Sequence, residues 1–168
     1  MNRVFLALAF AALCSAESAS GVKWAAPKGW TAQPQRPMRA GTYTVAPAAG
    51  DKDPGECAVF YFGPGQGGGI QANIDRWQGQ FPEKTGAAKT AKLTVAGMNV
   101  TTIDLSGTYA WSASPMSPEK INKPGYRMLG AIVEAPQGAV FFKFTAQAKT
   151  VAANEAAFLQ MIKAITKE

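Results

Sequence analysis

The sequence predicts an α+β protein, an antiparallel β-sheet with helices packed on it. Three observations carry this. Two pairs of strand-like segments, 91–95 with 98–109 and 126–134 with 139–146, each meet at a short turn, and hairpins pair their strands antiparallel. Two segments, 70–81 and 151–166, place apolar residues three and four apart, the spacing of one helix face. Between the first strands and the first helix, residues 56–81 join an apolar run to the helical pattern through a glycine loop, and the chain is organised around this stretch.

The N-terminus reads as an export signal over residues 1–16. Arg3 is basic, residues 4–13 are apolar over a length too short to span a bilayer, and small residues follow. Cleavage is expected after Ala16. A cysteine directly after the apolar run also fits lipoprotein processing, in which Cys14 would carry the lipid; the residue before it, Leu13, is larger than such sites usually have. The expected location is periplasmic or secreted, with lipid anchoring to the envelope through Cys14 as the alternative. The membrane is a partner only in that second case.

Residues 17–21 read as a linker, and one domain is expected over 22–168. A sequence of 168 residues with 47% hydrophobic and 17% charged content suits one globular unit. Loss of residues 1–16 removes Arg3 and leaves 16 basic residues against 11 acidic, a net charge of +5. The lysines are scattered, so no nucleic-acid partner is expected.

Trp24 and Trp30 flank a turn at 27–30 and are expected to pack on the sheet edge. A strand follows at 38–45. Residues 46–55 form a loop, and Asp51, Asp53 and Glu56 lie close together in sequence there. The loop lacks the alternating ligand pattern and central glycine of a calcium loop, so it reads as a solvated turn with no metal. Residues 57–62 are apolar throughout, as a central strand is. Cys57 opens this strand and reads as a buried, inert thiol.

The helix over 70–81 presents Ile70, Ile74, Trp77 and Phe81 on one face and stops at Pro82. The hairpin around Ala96-Gly97 puts Thr101, Ile103, Leu105, Gly107 and Tyr109 on one side of its second strand. Residues 111–124 hold three prolines without apolar period and read as a long loop, of a length that is often functional. A second hairpin turns at 136–138. Thr150 is expected to cap the last helix, whose face is Val151, Phe158, Ile162 and Ile165.

The spacing Trp24-x-x-Pro27-x-Gly29-Trp30, the Val95-x-Gly97 hairpin and the final strand running into a terminal helix resemble the PsbP-like superfamily, over residues 22–167. The resemblance implies an α/β/α sandwich. The central motif, FGPGQGG-x-IQANIDRW at 62–77 when the third glycine is x, is similar to a narrower family of exported bacterial proteins without assigned activity. The superfamily takes its name from an extrinsic subunit of photosystem II that docks on a membrane complex. That role is not carried over, because the glycine loop and the 111–124 segment depart from its pattern. The resemblance implies an accessory or binding protein rather than a catalyst.

The chemistry agrees. Gly63-x-Gly65-x-x-Gly68 matches a dinucleotide fingerprint in letters, but no βαβ unit surrounds it, so no cofactor is expected. The amides of Gly67, Gly68 and Gly69, with Gln66, Asn73 and Arg76, are the candidate anion-binding group at the start of a helix. The plainer reading of the glycines is a tight connection with positive φ. The sequence contains no histidine, which excludes histidine triads and histidine-bound metals. No catalytic residue is assigned. The expectation is a non-enzymatic exported protein that binds an envelope protein or membrane-associated complex; the alternative is a small-anion-binding protein or enzyme using the glycine loop at 63–69.

Overall fold

The structure is a computed structural model that describes residues 16–112 and 117–168. The export signal, including Cys14, lies outside the described residues except for Ala16. In chain order the elements are β1 (Ala16–Ala19), β2 (Val22–Ala25), β3 (Thr31–Ala32), β4 (Arg39–Val45), β5 (Gly55–Phe60), α1 (Ile70–Gly79), β6 (Glu83–Lys84), β7 (Lys89–Val95), β8 (Met98–Trp111), β9 (Ile121–Ala135), β10 (Gly138–Gln147), α2 (Ala148–Lys163) and β11 (Thr166–Lys167). The predicted antiparallel sheet with helices on it is present. The main sheet runs β3-β4-β5-β10-β9-β8-β6, with β7 also paired to β8.

Alternation along the strands sends consecutive side chains to opposite faces. Phe142 and Phe144 of β10 join a core with Val151, Phe158 and Ile162 of α2. Phe141, directly before Phe142 in sequence, joins the opposite core with Ile74 and Trp77 of α1 and with Phe81. The helices therefore cover opposite faces, which gives the α/β/α sandwich. The small sheet β1-β2-β11 adds Val22 and Trp24 to the α2 side.

Several expectations change. Residues 17–21 are no linker: Glu17 pairs with Trp24 and Ala19 with Val22, and the turn between them uses positive φ at Ser20 and Gly21. Trp24 and Trp30 are buried in the α2-side core rather than at an edge. The indole N–H of Trp24 donates to Tyr43 Oη at 2.7 Å, and that of Trp30 to Asn154 Oδ1 at 3.0 Å. Burying an indole requires such a partner.

Both ends of the expected 111–124 loop are strand: Trp111 closes β8, and residues 121–124 open β9. Trp111 pairs with Ile121, Ala110 with Asn122 and Tyr109 with Lys123. Pro124 is accommodated because the register shifts there. Residues 124 and 125 lie opposite Thr108 alone, and Gly125 takes φ +72°. Such a bulge needs no ladder hydrogen bond from a proline.

Thr150 does not cap α2 with its own side chain. The helix begins at Ala148, and Asp51 Oδ2 accepts from the Thr150 amide at 2.7 Å and from its hydroxyl at 2.6 Å. The cap comes from a loop 99 residues away.

Candidate functional site

The glycine loop does what the plainer reading required. Gly63, Gly65, Gly67 and Gly68 all hold positive φ. At Gly67 a Cβ would sit 2.8 Å from the Phe141 ring and 3.0 Å from Phe62, so a side chain there would collide with the core. The loop needs glycine to pass close over the aromatic cluster.

The sequence-predicted anion residues are neighbours, but their polar groups face one another. Asn73 is buried, and its Nδ2 donates to the carbonyls of Gly67 at 2.8 Å and Gly69 at 2.9 Å. Arg76 donates to Asn73 Oδ1. The Asn73 amide is thus spent on holding the loop's carbonyl oxygens against the helix. Gln66 is exposed, with its backbone amide bonded to Gly63 O at 3.1 Å. Arg76 is the exposed cation of the group.

The acidic residues at 51–56 do not converge either. Asp51 caps α2. Glu56 pairs with Arg39 at 3.0 Å and Arg36 at 3.4 Å. Asp53 accepts from Tyr126 Oη at 2.8 Å and from Lys123 Nζ at 3.1 Å. The Tyr126 hydrogen bond, then that of Lys123, holds its carboxyl below the usual range. No group of acids or cysteines suited to a metal occurs among the described residues. Cys57 is buried, and burial pushes its thiol well up, away from reactivity.

The end of the β8–β9 hairpin is a different kind of surface. Beyond Thr108, which pairs with β6, and before Tyr126, which pairs with β10, the two strands have no other strand neighbour among the described residues, and the Ala110 amide donates to Gln80 O at 2.8 Å. The arm carries Trp111, 38% exposed, and its cross-strand neighbour Ile121, 55% exposed. Lys123 lies 5.3 Å from the centre of the Trp111 ring and 5.5 Å from that of Tyr126. A cation over an indole restrains it without covering it. The Asp53 bonds tie the base of the arm to the loop before β5. Sequence reasoning marked this segment by length and prolines. It missed that Trp111 and Ile121 are paired strand residues, which Pro124 concealed.

Two depressions flank these features. An open groove of about 780 Å³ lies between α1 and the β6–β7 edge, lined by Ile70, Ile74, Gln78, Lys84 and Lys92 among others. A smaller one of about 180 Å³ is lined by Glu17, Arg36 and Arg39 among others. No described helix is long and apolar enough to cross a membrane.

No family model matches the chain, and no curated protein matches it. Solved structures do. Cyanobacterial PsbP (CyanoP) from Synechocystis sp. is 9% identical, with 96% of this chain and 98% of that one covered and a TM-score of 0.56. LpqN of Mycobacterium tuberculosis, described as involved in cell envelope biogenesis, is 15% identical over 86% of this chain and 82% of its own, with a TM-score of 0.56. PA94 of Pseudomonas aeruginosa, a protein of unknown function, is 11% identical over 92% and 96%, with a TM-score of 0.52. At these identities the likeness shows the fold, which is PsbP-like.

Proposed function

We propose that this chain is an exported, non-enzymatic accessory protein of the bacterial cell envelope that engages a partner protein or complex through the β8–β9 arm. The observation that carries the reading is the exposed Trp111–Ile121 pair on a two-stranded extension, next to Lys123. Exposed aromatics beside cations are enriched where interfaces concentrate their energy. An extension held by its own ladder, by Asp53 and by the Ala110 amide donating to Gln80 O offers that surface with little ordering left to do on binding. The export pattern at 1–16 and the envelope role printed for LpqN, a protein of the same fold, support the compartment.

The test is site-specific photocrosslinking in the native host, with a photoreactive residue at position 121 and a control at exposed Lys149 on α2. A discrete adduct at 121 is expected, absent at 149 and lost on Trp111→Ala. No adduct, or equal adducts at both positions, overturns the reading. Mass spectrometry of the mature N-terminus addresses processing. A chain beginning at Glu17 is expected, whereas a diacylated or triacylated Cys14 would make the protein lipid-anchored.

A further inference from the structure

A half-buried amine stands on the α1 side of the sheet with no acid beside it. Lys143 lies mid-way along β10, on the same face as Phe141 and Thr145, opposite Ala58 of β5 and Gly130 of β9. Its Nζ donates to Gln80 Oε1 at 2.5 Å and to Tyr109 Oη at 3.1 Å. Both partners are neutral, and Lys143 takes part in none of the ion pairs among the described residues. A desolvated ammonium without counter-charge is costly. Burial accordingly pulls its pKa down to about 8.

The charges around it are mixed, with the Glu56 carboxylate acting most strongly. Arg39 on β4 and Arg76 on α1 both act against its charge. Glu56 acts in its favour, but that carboxylate already serves Arg36 and Arg39. Arg76 lies one turn before Gln80, and its recorded partner is the neutral Asn73 amide. Two residues beyond Lys143, the buried hydroxyl of Thr145 has no hydrogen-bond partner among the described residues. On the neighbouring strand Phe60, in register with Phe141, stacks on Phe62 at 6.0 Å, and Arg39 lies 5.4 Å from the Phe60 ring centre.

We propose that Lys143, Gln80, Tyr109 and Arg76 form a binding site for a small oxyanion, a carboxylate or phosphate group. The ammonium has three donors and uses two on neutral acceptors. The Gln80 amide and the Tyr109 hydroxyl each have a proton to donate as well. An anion would supply the missing charge, and charge-assisted hydrogen bonds are the strong kind. The site uses the Arg76 end of the sequence-predicted anion group but is centred on the sheet, not on the glycine amides. It shares Tyr109 with the base of the arm, where Tyr109 pairs with Lys123, but it does not use the exposed Trp111–Ile121 pair, so the crosslinking test at position 121 and the anion test are read independently.

The test follows the lysine Cε signals of the full protein, labelled with ¹³C-lysine, at pH 7 and constant ionic strength. Sodium phosphate and sodium acetate are the probes, and sodium chloride is the matched control. One signal, identified by its titration midpoint near 8 and by its loss in Lys143→Met, should move saturably with phosphate or acetate and not with chloride. Saturation by phosphate alone selects a phosphate group, and by acetate alone a carboxylate. Arg76→Gln, an exposed change that leaves the core intact, should weaken binding by about threefold to tenfold through the lost charge. No saturable movement up to about 50 mM of either anion overturns the proposal. Unchanged affinity in Arg76→Gln together with unchanged anion-induced thermal stabilisation in Lys143→Met also overturns it.

Discussion

The ring of Trp77 occupies the space that a side chain at Gly130 would fill. A Cβ built on Gly130 would lie 2.5 Å from Trp77 Cζ3 and 2.8 Å from Ile103 Cγ2. Helix α1 seats its indole on bare backbone of β9, with Ile74 and Phe81 in the same core. Trp77→Ala should therefore cost about 3–5 kcal/mol, as large-to-small core changes do. Gly130→Val should also destabilise, by about 1–3 kcal/mol, because it overpacks the same space. Arg76→Ala, one residue away and exposed, should cost well under about 1 kcal/mol. Urea unfolding of the three variants checks the order. Equal losses at 76 and 77 would show that the helix is not seated in this way.

The Asp51 cap makes a second prediction. Asp51→Ala removes the acceptor for both the Thr150 amide and its hydroxyl. The expected cost is about 0.5–2 kcal/mol, the range for loss of an N-terminal cap. Thr150 is fully buried and also accepts from the Ala48 amide at 3.0 Å, so the upper part of that range is expected. Asp51→Asn keeps an acceptor and should recover most of the loss. Thermal unfolding of the pair decides this, and a neutral Asp51→Ala would return this loop to a solvated turn.

What could be read from the sequence was what repeats locally. Ile74, Trp77 and Phe81 carry a period, and the structure buries all three. Ala96 and Gly97 announce a two-residue turn, and both hold positive φ. What was not legible depends on residues far apart. Thr150 looks like a cap in a local window, yet the acceptor is Asp51. Pro124 looks like a loop residue, and only the shift opposite Thr108 makes room for it in a strand. Lys143 is an unremarkable strand lysine until Gln80 and Tyr109, 63 and 34 residues away, close on it.

The glycine loop should show a graded response to alanine. Gly67→Ala combines φ +92° with contact to Phe141 and Phe62, and should be the most damaging of the series. Gly65→Ala has open space but φ +66°, so it should cost on the order of 1 kcal/mol for backbone strain alone. Gly69→Ala has neither obstacle, since this residue is extended at φ −70° with nothing near its Cβ position. It should be within about 0.5 kcal/mol of neutral. Denaturant midpoints for the three variants check the series. A large stability loss at Gly69 would mean that the loop is held by something other than φ and the aromatic contact.

The last prediction is a pH dependence with a definite sign. Lys143 titrates near 8 in the folded protein, because burial disfavours its charge, against 10.5 for an unperturbed lysine. Between these values the unfolded chain holds a proton that the folded chain has released. The contribution of Lys143 to stability must then rise with pH across that interval. Below about pH 8 the amine is charged in both states, and the full penalty of its burial is present. Tyr109 acts in the opposite direction at the upper end. Burial pushes its phenol up to about 12, so from about pH 10 the unfolded chain ionises first and stability falls. Burial also pushes the Cys57 thiol well up, so it acts in the same direction as Tyr109 from about pH 9; it is common to both proteins, and the difference between wild type and Lys143→Met over about pH 8 to 10 carries the reading. Wild-type protein and Lys143→Met should be unfolded in urea at pH 7, 8, 9 and 10 in a non-coordinating buffer. Lys143→Met should start more stable at pH 7 and lose its advantage as the pH rises through the window. Saturating oxyanion at the proposed site would supply a counter-charge to the ammonium, and should flatten the wild-type rise by stabilising the low-pH end. Parallel curves for the two proteins would mean that water already neutralises the cost of this charge, leaving Lys143 an ordinary surface lysine.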